Sequence, residues 1–252
     1  MRQASVVEVH DARVDIRFAD NASLAVDSHF IFYVGYPVIS PEGHVIGALC
    51  GFDTKPRVLD EAQRGAMQDL VGIVQNQFAL GVLANRDTLT GLYNRRYFDE
   101  RLQEEWSRQA RVGVPISLLF FDVDHFKHYN DEFGHPQGDR CLQRIADTAN
   151  NAFGRVGDFV SRYGGEEFVV LLSGTDQEGG QHKAEELRAL IEDMGIEHAQ
   201  SSDTDTVTIS VGGATMTPKR NALSNALVER ADQALYQAKN GGRNQVWWDE
   251  SK

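Results

Sequence analysis

The sequence predicts an α+β fold, a mostly antiparallel sheet flanked by helices, and three observations carry that expectation. Ile116 to Val123 is a near-continuous apolar run, the mark of a strand buried on both faces. Phe159-Val160-Ser161 and Val169-Val170-Leu171-Leu172 are β-prone runs separated by Gly164-Gly165, which reads as a hairpin with a type I′ turn, both glycines supplying positive φ. Between the strand-like runs lie stretches whose apolar residues recur at helical spacing, such as Ala184, Leu187, Leu190, Ile191 and Met194.

Taken in order, residues from Met1 to about Arg57 are short-patterned and β-rich. Phe30 to Val34 and Val45 to Cys50 are joined through Pro41-Glu42-Gly43-His44, a Pro/Gly turn between two strands. Leu59 to Arg86 reads as one helix. Its narrow stripe of Met67, Leu70, Val71, Val74, Phe78 and Val82 suits pairing with a copy of itself, although Gly72 and Gly81 each weaken the helix by about 1 kcal/mol. Asn85 to Arg96 is dense in capping and turn residues and opens a helix running to about Ala110. After the Ile116 to Val123 strand comes a loop, His125 to Gly138, then a helix from about Asp139 with Leu142, Ile145, Ala146 and Ala149 inward. The hairpin follows, then the Ala184 to Met194 helix, a strand from Val207 to Ala214, a helix from Leu223 to Lys239, and a short strand from Gln245 to Trp248. Runs of strands with helices on one side suggest a ferredoxin-like sheet rather than a doubly wound one.

A chain of 252 residues with 41% hydrophobic content holds one large domain, or an ordinary domain and a smaller module. A net charge of −12 argues against a general nucleic-acid binder, which needs a basic stripe. Positive charge for an anionic ligand must therefore be local. Cys50 and Cys141 each sit in an apolar stretch, so a disulfide framework is not expected and a reducing, cytoplasmic compartment fits. No run reaches the roughly 18 to 20 apolar residues of a membrane span, and the start lacks the signal-peptide pattern, so direct membrane insertion is not expected either.

The chemistry concentrates at two places. Glu166 and Glu167 are adjacent carboxylates at a tight turn, an arrangement that a hard divalent cation neutralises. Asp122 ends a buried strand, where a carboxylate needs a partner. If the strand and the hairpin are neighbours, Asp122 and Glu166 reach one point and can hold Mg²⁺ with phosphate oxygens. Lys127 and the backbone amides near Phe126 lie where a loop can wrap a triphosphate. Asn130, His135 and Asp139 follow, and an amide with a carboxylate suits the edge of guanine. Singly, each has a plainer reading: an acidic hairpin tip, a turn asparagine, an N-cap aspartate, a solvated lysine.

Jointly they resemble a known family. Phe121-Asp122-Val123-Asp124-His125-Phe126-Lys127, Asn130-Asp131, Gly134-His135, Gly138-Asp139, Arg162-Tyr163-Gly164-Gly165-Glu166-Glu167-Phe168, and Ala231 to Lys239 with Gly242-Arg243-Asn244 look like a GGDEF-family diguanylate cyclase. The resemblance covers about Asp87 to Trp248, and its fold is the palm type shared with nucleotide cyclases. It implies that Asp122, the Val123 carbonyl and Glu166 bind Mg²⁺, with Mn²⁺ as an alternative, and that Glu166 or Glu167 helps deprotonate an attacking 3′-hydroxyl. Phe126, Lys127, Asn130, His135, Asp139, Lys239 and Arg243 would hold GTP, Lys127 also stabilising the transition state. Asp124 is left outside the metal set, on the expectation that strand alternation turns it away from Asp122.

The implied reaction joins two GTP into cyclic di-GMP across a homodimer, with no nucleic-acid partner. Arg155 and Asp158, joined by Arg188, match the family's product-inhibition site. The rival implication is a silent GTP or cyclic di-GMP receptor. Separately, Phe32 to Val38 with Gly43 to Asp53 resembles the closing strands of a GAF domain. The expected organisation is a partial GAF-like module over 1–57, a linker helix over 58–86 and a catalytic domain over 87–252.

Overall fold

The computed structural model describes residues 5–17, 30–41, 43–155, 157–198, 205–219 and 223–250. The chain divides into two compact units, Met1–Ala84 and Asn85–Lys252. Among the described residues no helix is long and apolar enough to cross a membrane.

In the first unit, β1 (Val7–Val9), β2 (Phe32–Ile39) and β3 (Val45–Asp53) form an antiparallel sheet in that order. The β2–β3 turn carries Gly43 at φ 85°, and Glu42 beside it lies outside the described residues. Helix α1 (Glu61–Asn85) follows. Asp60 and Gln63 close its first turn reciprocally, each side chain accepting from the other's backbone N–H at 2.7 and 3.1 Å. Phe32, Val34, Tyr36 and Val71 form the unit's core, with Leu49, Leu59 and Met67 packed against it. Of the helical stripe, Val71 alone is buried, while Leu70, Phe78 and Val82 are exposed.

The second unit is built on a six-stranded sheet in the order β4-β6-β7-β5-β8-β9. In chain order it runs β4 (Tyr93–Asn94), α2 (Arg95–Val112), β5 (Ile116–Val123), α3 (Phe126–Phe133), α4 (His135–Ala152), β6 (Phe159–Gly164), β7 (Glu167–Ser173), α5 (Gln177–Glu192), β8 (Ile209–Met216), α6 (Asn225–Asn240) and β9 (Val246–Trp248). The four middle strands pair antiparallel and connect as βαββαβ, the ferredoxin-like arrangement, with β4 and β9 added parallel at the edges.

Helices cover both faces of this sheet, not one as the pattern suggested. Leu119, Phe121 and Val123 pack with Leu142 and Ile145 of α4 and Leu187 and Ile191 of α5. Leu118 and Phe120 pack with Phe98 and Leu102 of α2 and Leu227 and Leu235 of α6. That two-sided cover is why β5 reads as an unbroken apolar run and is buried at every position.

Two local expectations are corrected. The segment His125 to Gly138 is helical: α3 opens at His125, which sits in the left-handed region at φ 55° without a side-chain cap, and Gly134 at φ 80° separates it from α4. The aromatic stripe of α3, Phe126, Tyr129 and Phe133, spans only two turns, and with no Ser/Thr/Asp cap before it so short a helix leaves little periodicity to read. In the hairpin, Gly164 is the last residue of β6 and pairs with Glu167, so Gly165 and Glu166 make the turn. Gly165 has φ 55°, but Glu166, the other central residue, does not have positive φ, so the turn is not type I′.

Candidate active site

The site forms where β5 ends beside the hairpin. Asp122 lies across from Glu167 in the β5–β7 register, and the Val123 N–H donates to the Glu166 carbonyl at 3.4 Å. The strand end and the turn are thus neighbours, the condition on which a shared metal depended. Asp122 is 7% exposed. Burial pushes its carboxyl up to about 6, the Lys239 ammonium at 2.9 Å opposes that rise, and Glu166 and Glu167 add to it. Glu167 is also raised, first by burial, with Lys239 opposing and Asp232 and Glu166 reinforcing.

Glu166 and Glu167 are thus near enough to act on Asp122, and Lys239 is the cation in contact with it. Among the described residues no three His, Cys, Asp or Glu side chains form a metal cage. The residues nevertheless fit a Mg²⁺ ion of the kind that works on phosphates: two carboxylates, Asp122 and Glu166, and the Val123 carbonyl would leave positions for water and phosphate oxygens. Burial first, and then the neighbouring carboxylates, raise Asp122, and such an ion offsets both.

Asp124 is 3% exposed. Residues two apart on a strand share a face, so alternation is not what separates it from Asp122. Instead β5 stops at Val123, and Asp124 turns toward β8, accepting from Thr208 Oγ1 at 2.8 Å, Ser210 Oγ at 2.6 Å and the Asn244 N–H at 3.0 Å. Arg243 and Asn244 both have positive φ, 62° and 42°. Asp124 thereby holds in place the strained turn that carries Arg243, a role the residue-by-residue reading missed. Its signal was present in Thr208 and Ser210, two hydroxyls on one face of an otherwise apolar strand.

The α3–α4 corner supplies the other flank. Phe126 is buried at the start of α3 and Lys127 beside it is exposed. Asn130 is half-buried, and its Oδ1 is enclosed with no hydrogen-bond partner. It fits only because residue 138 is glycine, since a Cβ there would lie 1.8 Å from that oxygen. Asp139 follows directly on α4, exposed like His135. Asn130 and Asp139 thus stand at one corner, an amide and a carboxylate, the group types that match the carbonyl and N–H groups of a guanine edge.

At the candidate product site Arg155 is exposed, and the Asp158 N–H donates to the Arg155 carbonyl at 3.0 Å, while Val156 lies outside the described residues. Burial raises the Asp158 carboxyl, and Arg155 and Lys183 oppose it. Arg188 is not brought to this pair. Its guanidinium is committed to Glu185, to Glu192 at 2.7 Å and to Asn244 Oδ1 at 2.7 Å, which joins it to the Asp124 network. The α5 cation near Asp158 is Lys183, one and a half turns earlier than expected.

Comparison with known proteins points the same way. The family model described as diguanylate cyclase, GGDEF domain, matches residues 84–245. Diguanylate cyclase DgcP of Pseudomonas aeruginosa is 42% identical over 160 residues, which are 64% of this chain and 23% of that protein. The coiled coil and GGDEF domain of DgcB from Caulobacter crescentus, solved in complex with c-di-GMP, superposes with a TM-score of 0.64 at 30% identity, covering 74% of this chain and 96% of that one. The active GGEEF domain of a diguanylate cyclase from Vibrio cholerae gives a TM-score of 0.56 at 30% identity, over 64% and 99% of the two chains. The chain spans between 23% and 46% of the length of the curated relatives considered.

Proposed function

The chain belongs to the GGDEF family of diguanylate cyclases, and from that premise we propose that its second unit condenses two GTP into cyclic di-GMP, releasing two pyrophosphates. The observation that carries this reading is the convergence of Asp122, Glu166, Glu167 and Lys239 where β5 meets the hairpin. The bound Mg²⁺, or Mn²⁺ in its place, would neutralise phosphate charge and polarise the α-phosphate.

The chain's own residues do the rest. Asn130 and Asp139 hold the guanine, and Lys127 with the first amides of α3 cradles the phosphates, where a helix N-terminus favours negative charge. Lys239 and Arg243 add positive charge from the other side, in a protein whose net charge is −12. Glu167 accepts the proton of the attacking 3′-hydroxyl. The O3′–Pα bond forms as the bond from Pα to pyrophosphate breaks.

One protomer holds one GTP, and each 3′-hydroxyl attacks the α-phosphate held by the other copy, so the active species is a homodimer. Alignment of two sites supplies much of the rate, up to about 7 to 11 kcal/mol in the best intramolecular cases. The exposed apolar residues of α1 are the means of alignment. Incubating the purified chain with GTP and Mg²⁺ and identifying the product by chromatography and mass tests the reading. Cyclic di-GMP is the expected product, and GTP left intact, or a single-nucleotide cyclic product, overturns it.

A further inference from the structure

The α3–α4 corner accounts for one nucleotide, yet a second flank of the same centre is shaped as well. On α6, Asp232, Tyr236 and Lys239 stand at positions i, i+4 and i+7, one face of the helix, and this face lies beside the start of β7. With Glu167 and Leu235 they line an open groove of about 370 Å³. Its Lys239 end is the ion pair with Asp122 at 2.9 Å, so the groove opens directly onto the metal carboxylate. Tyr236 is 63% exposed, a large ring left at the groove's rim. Asp232 is near enough to act on the Glu167 carboxylate.

We propose that this groove seats the ribose of the attacking nucleotide, with Asp232 accepting a hydrogen bond from its 2′-hydroxyl and Tyr236 covering the sugar. The inference rests on the diguanylate cyclase reading and deepens it. Glu167 is the base of that reading and lies in the groove's wall, so the hydroxyl that it deprotonates must reach this place. A carboxylate is an acceptor of vicinal hydroxyls. An exposed tyrosine offers an apolar face with a polar tip, which suits a sugar against water. The proton of the 3′-hydroxyl passes to Glu167, O3′ bonds to Pα, and the pyrophosphate oxygen leaves, with Asp232 unchanged throughout.

The test compares GTP with 2′-deoxy-GTP as substrates of the full chain, in the parent and in Asp232→Asn, Tyr236→Phe and Tyr236→Ala. Binding of a non-hydrolysable GTP analogue and the thermal midpoint are followed in parallel. The parent should turn over 2′-deoxy-GTP about tenfold more slowly than GTP, one hydrogen bond's worth of discrimination. Asp232→Asn keeps an acceptor but loses the charge that strengthens it, so it should be slowed several-fold more on GTP than on 2′-deoxy-GTP, its preference falling well below the parent's while analogue binding and midpoint stay as in the parent; a loss shared by both substrates reports the changed field at Glu167. Tyr236→Phe should keep most activity and Tyr236→Ala should lose about tenfold.

Equal losses on both substrates, with the parent's preference kept, would overturn the proposal, as would an unaffected Asp232→Asn. Weakened analogue binding in step with the lost rate would assign the groove to the first nucleotide and also overturn it. So would a parent that does not distinguish the two substrates or makes no product from the deoxy one. A parent that forms no cyclic di-GMP from GTP would instead sink the underlying functional reading.

Discussion

At the scale of single residues, the site trades stability for chemistry, and Asp122 shows how. Its folded carboxyl is raised by burial to about 6 from an ordinary 3.8. The folded state therefore holds this proton more tightly than the unfolded chain, so the contribution is fully present below pH 3.8 and is lost as pH rises through about 6. The two-unit gap limits the loss to about 3 kcal/mol. In chelator near neutral pH, Asp122→Asn should accordingly raise the thermal midpoint, with no gain in acid. Added Mg²⁺ should stabilise the parent and leave the variant unmoved, while Asp122→Asn and Glu166→Gln both lose cyclic di-GMP synthesis by orders of magnitude. Equal Mg²⁺ responses in calorimetry would refute the metal assignment. Gly138 gives a second prediction, because a Cβ would stand 1.8 Å from Asn130 Oδ1 and must displace it. Gly138→Ala should raise the KM for GTP about tenfold, the worth of one hydrogen bond of roughly 1.5 kcal/mol, with kcat kept at saturation. A normal KM in initial-rate kinetics would show that Asn130 does not read the base.

At the scale of elements, α1 is the least self-sufficient piece. Leu70, Ile73, Phe78, Leu80, Val82 and Leu83 are 43% to 71% exposed along it, more apolar surface than a soluble helix leaves open without use. Asn85 and Arg86 belong to the second unit by their contacts: Arg96 donates to Asn85 Oδ1 at 2.8 Å, and the Arg86 guanidinium lies 3.9 Å over the Tyr93 ring. A truncated chain of residues 85–252 should thus fold, bind GTP and turn it over slowly, with a steep dependence on enzyme concentration. Fusion to an unrelated parallel coiled coil should restore activity in some registers, and a truncated chain whose specific activity ignores concentration would refute the role of α1. The elements differed in how plainly the sequence announced them. β5, β7 and α4 to α6 were legible because each buries a face whose period the chain must keep. α3 was not, since its start depends on a left-handed His125 and on Asn130 fitting against Gly138, neither of which leaves a periodic trace. The carboxylates proposed to hold the metal were legible as residue types, but their meeting rests on β5 lying next to β7, a matter of strand order. The surroundings of Asp124 and Arg188 were not legible for one reason: their partners, Ser210 and Asn244, are more than fifty residues away in the chain.

At the scale of the molecule, the question is how the product could restrain an enzyme without entering its active site. The Arg155–Asp158 turn immediately precedes β6, and the catalytic hairpin follows that strand's other end at Gly164. Six strand residues at about 3.3 Å each put roughly 20 Å between the two. A ligand at Arg155 therefore would not overlap the proposed GTP site, and the inhibition proposed for it acts by fixing how two copies stand. Arginine suits this place because its planar fork grips a phosphate or a guanine edge with two parallel bonds. Lys183, which acts on Asp158, adds a second cation from α5. Arg188 is tied instead to Asn244 and so to the turn carrying Arg243. The two α5 cations should consequently separate in a product titration. Cyclic di-GMP should inhibit the parent non-competetively with GTP at micromolar concentrations, about −8 kcal/mol of binding. Arg155→Ala should abolish that inhibition with turnover intact, and Lys183→Ala should weaken it several-fold. Arg188→Ala should leave inhibition in place and lower turnover, since it loosens the Asn244 end of the Asp124 network. If Arg188→Ala were the variant freed from inhibition, and Arg155→Ala inhibited like the parent, the product would bind beside Asn244, and control would act on the catalytic turn directly.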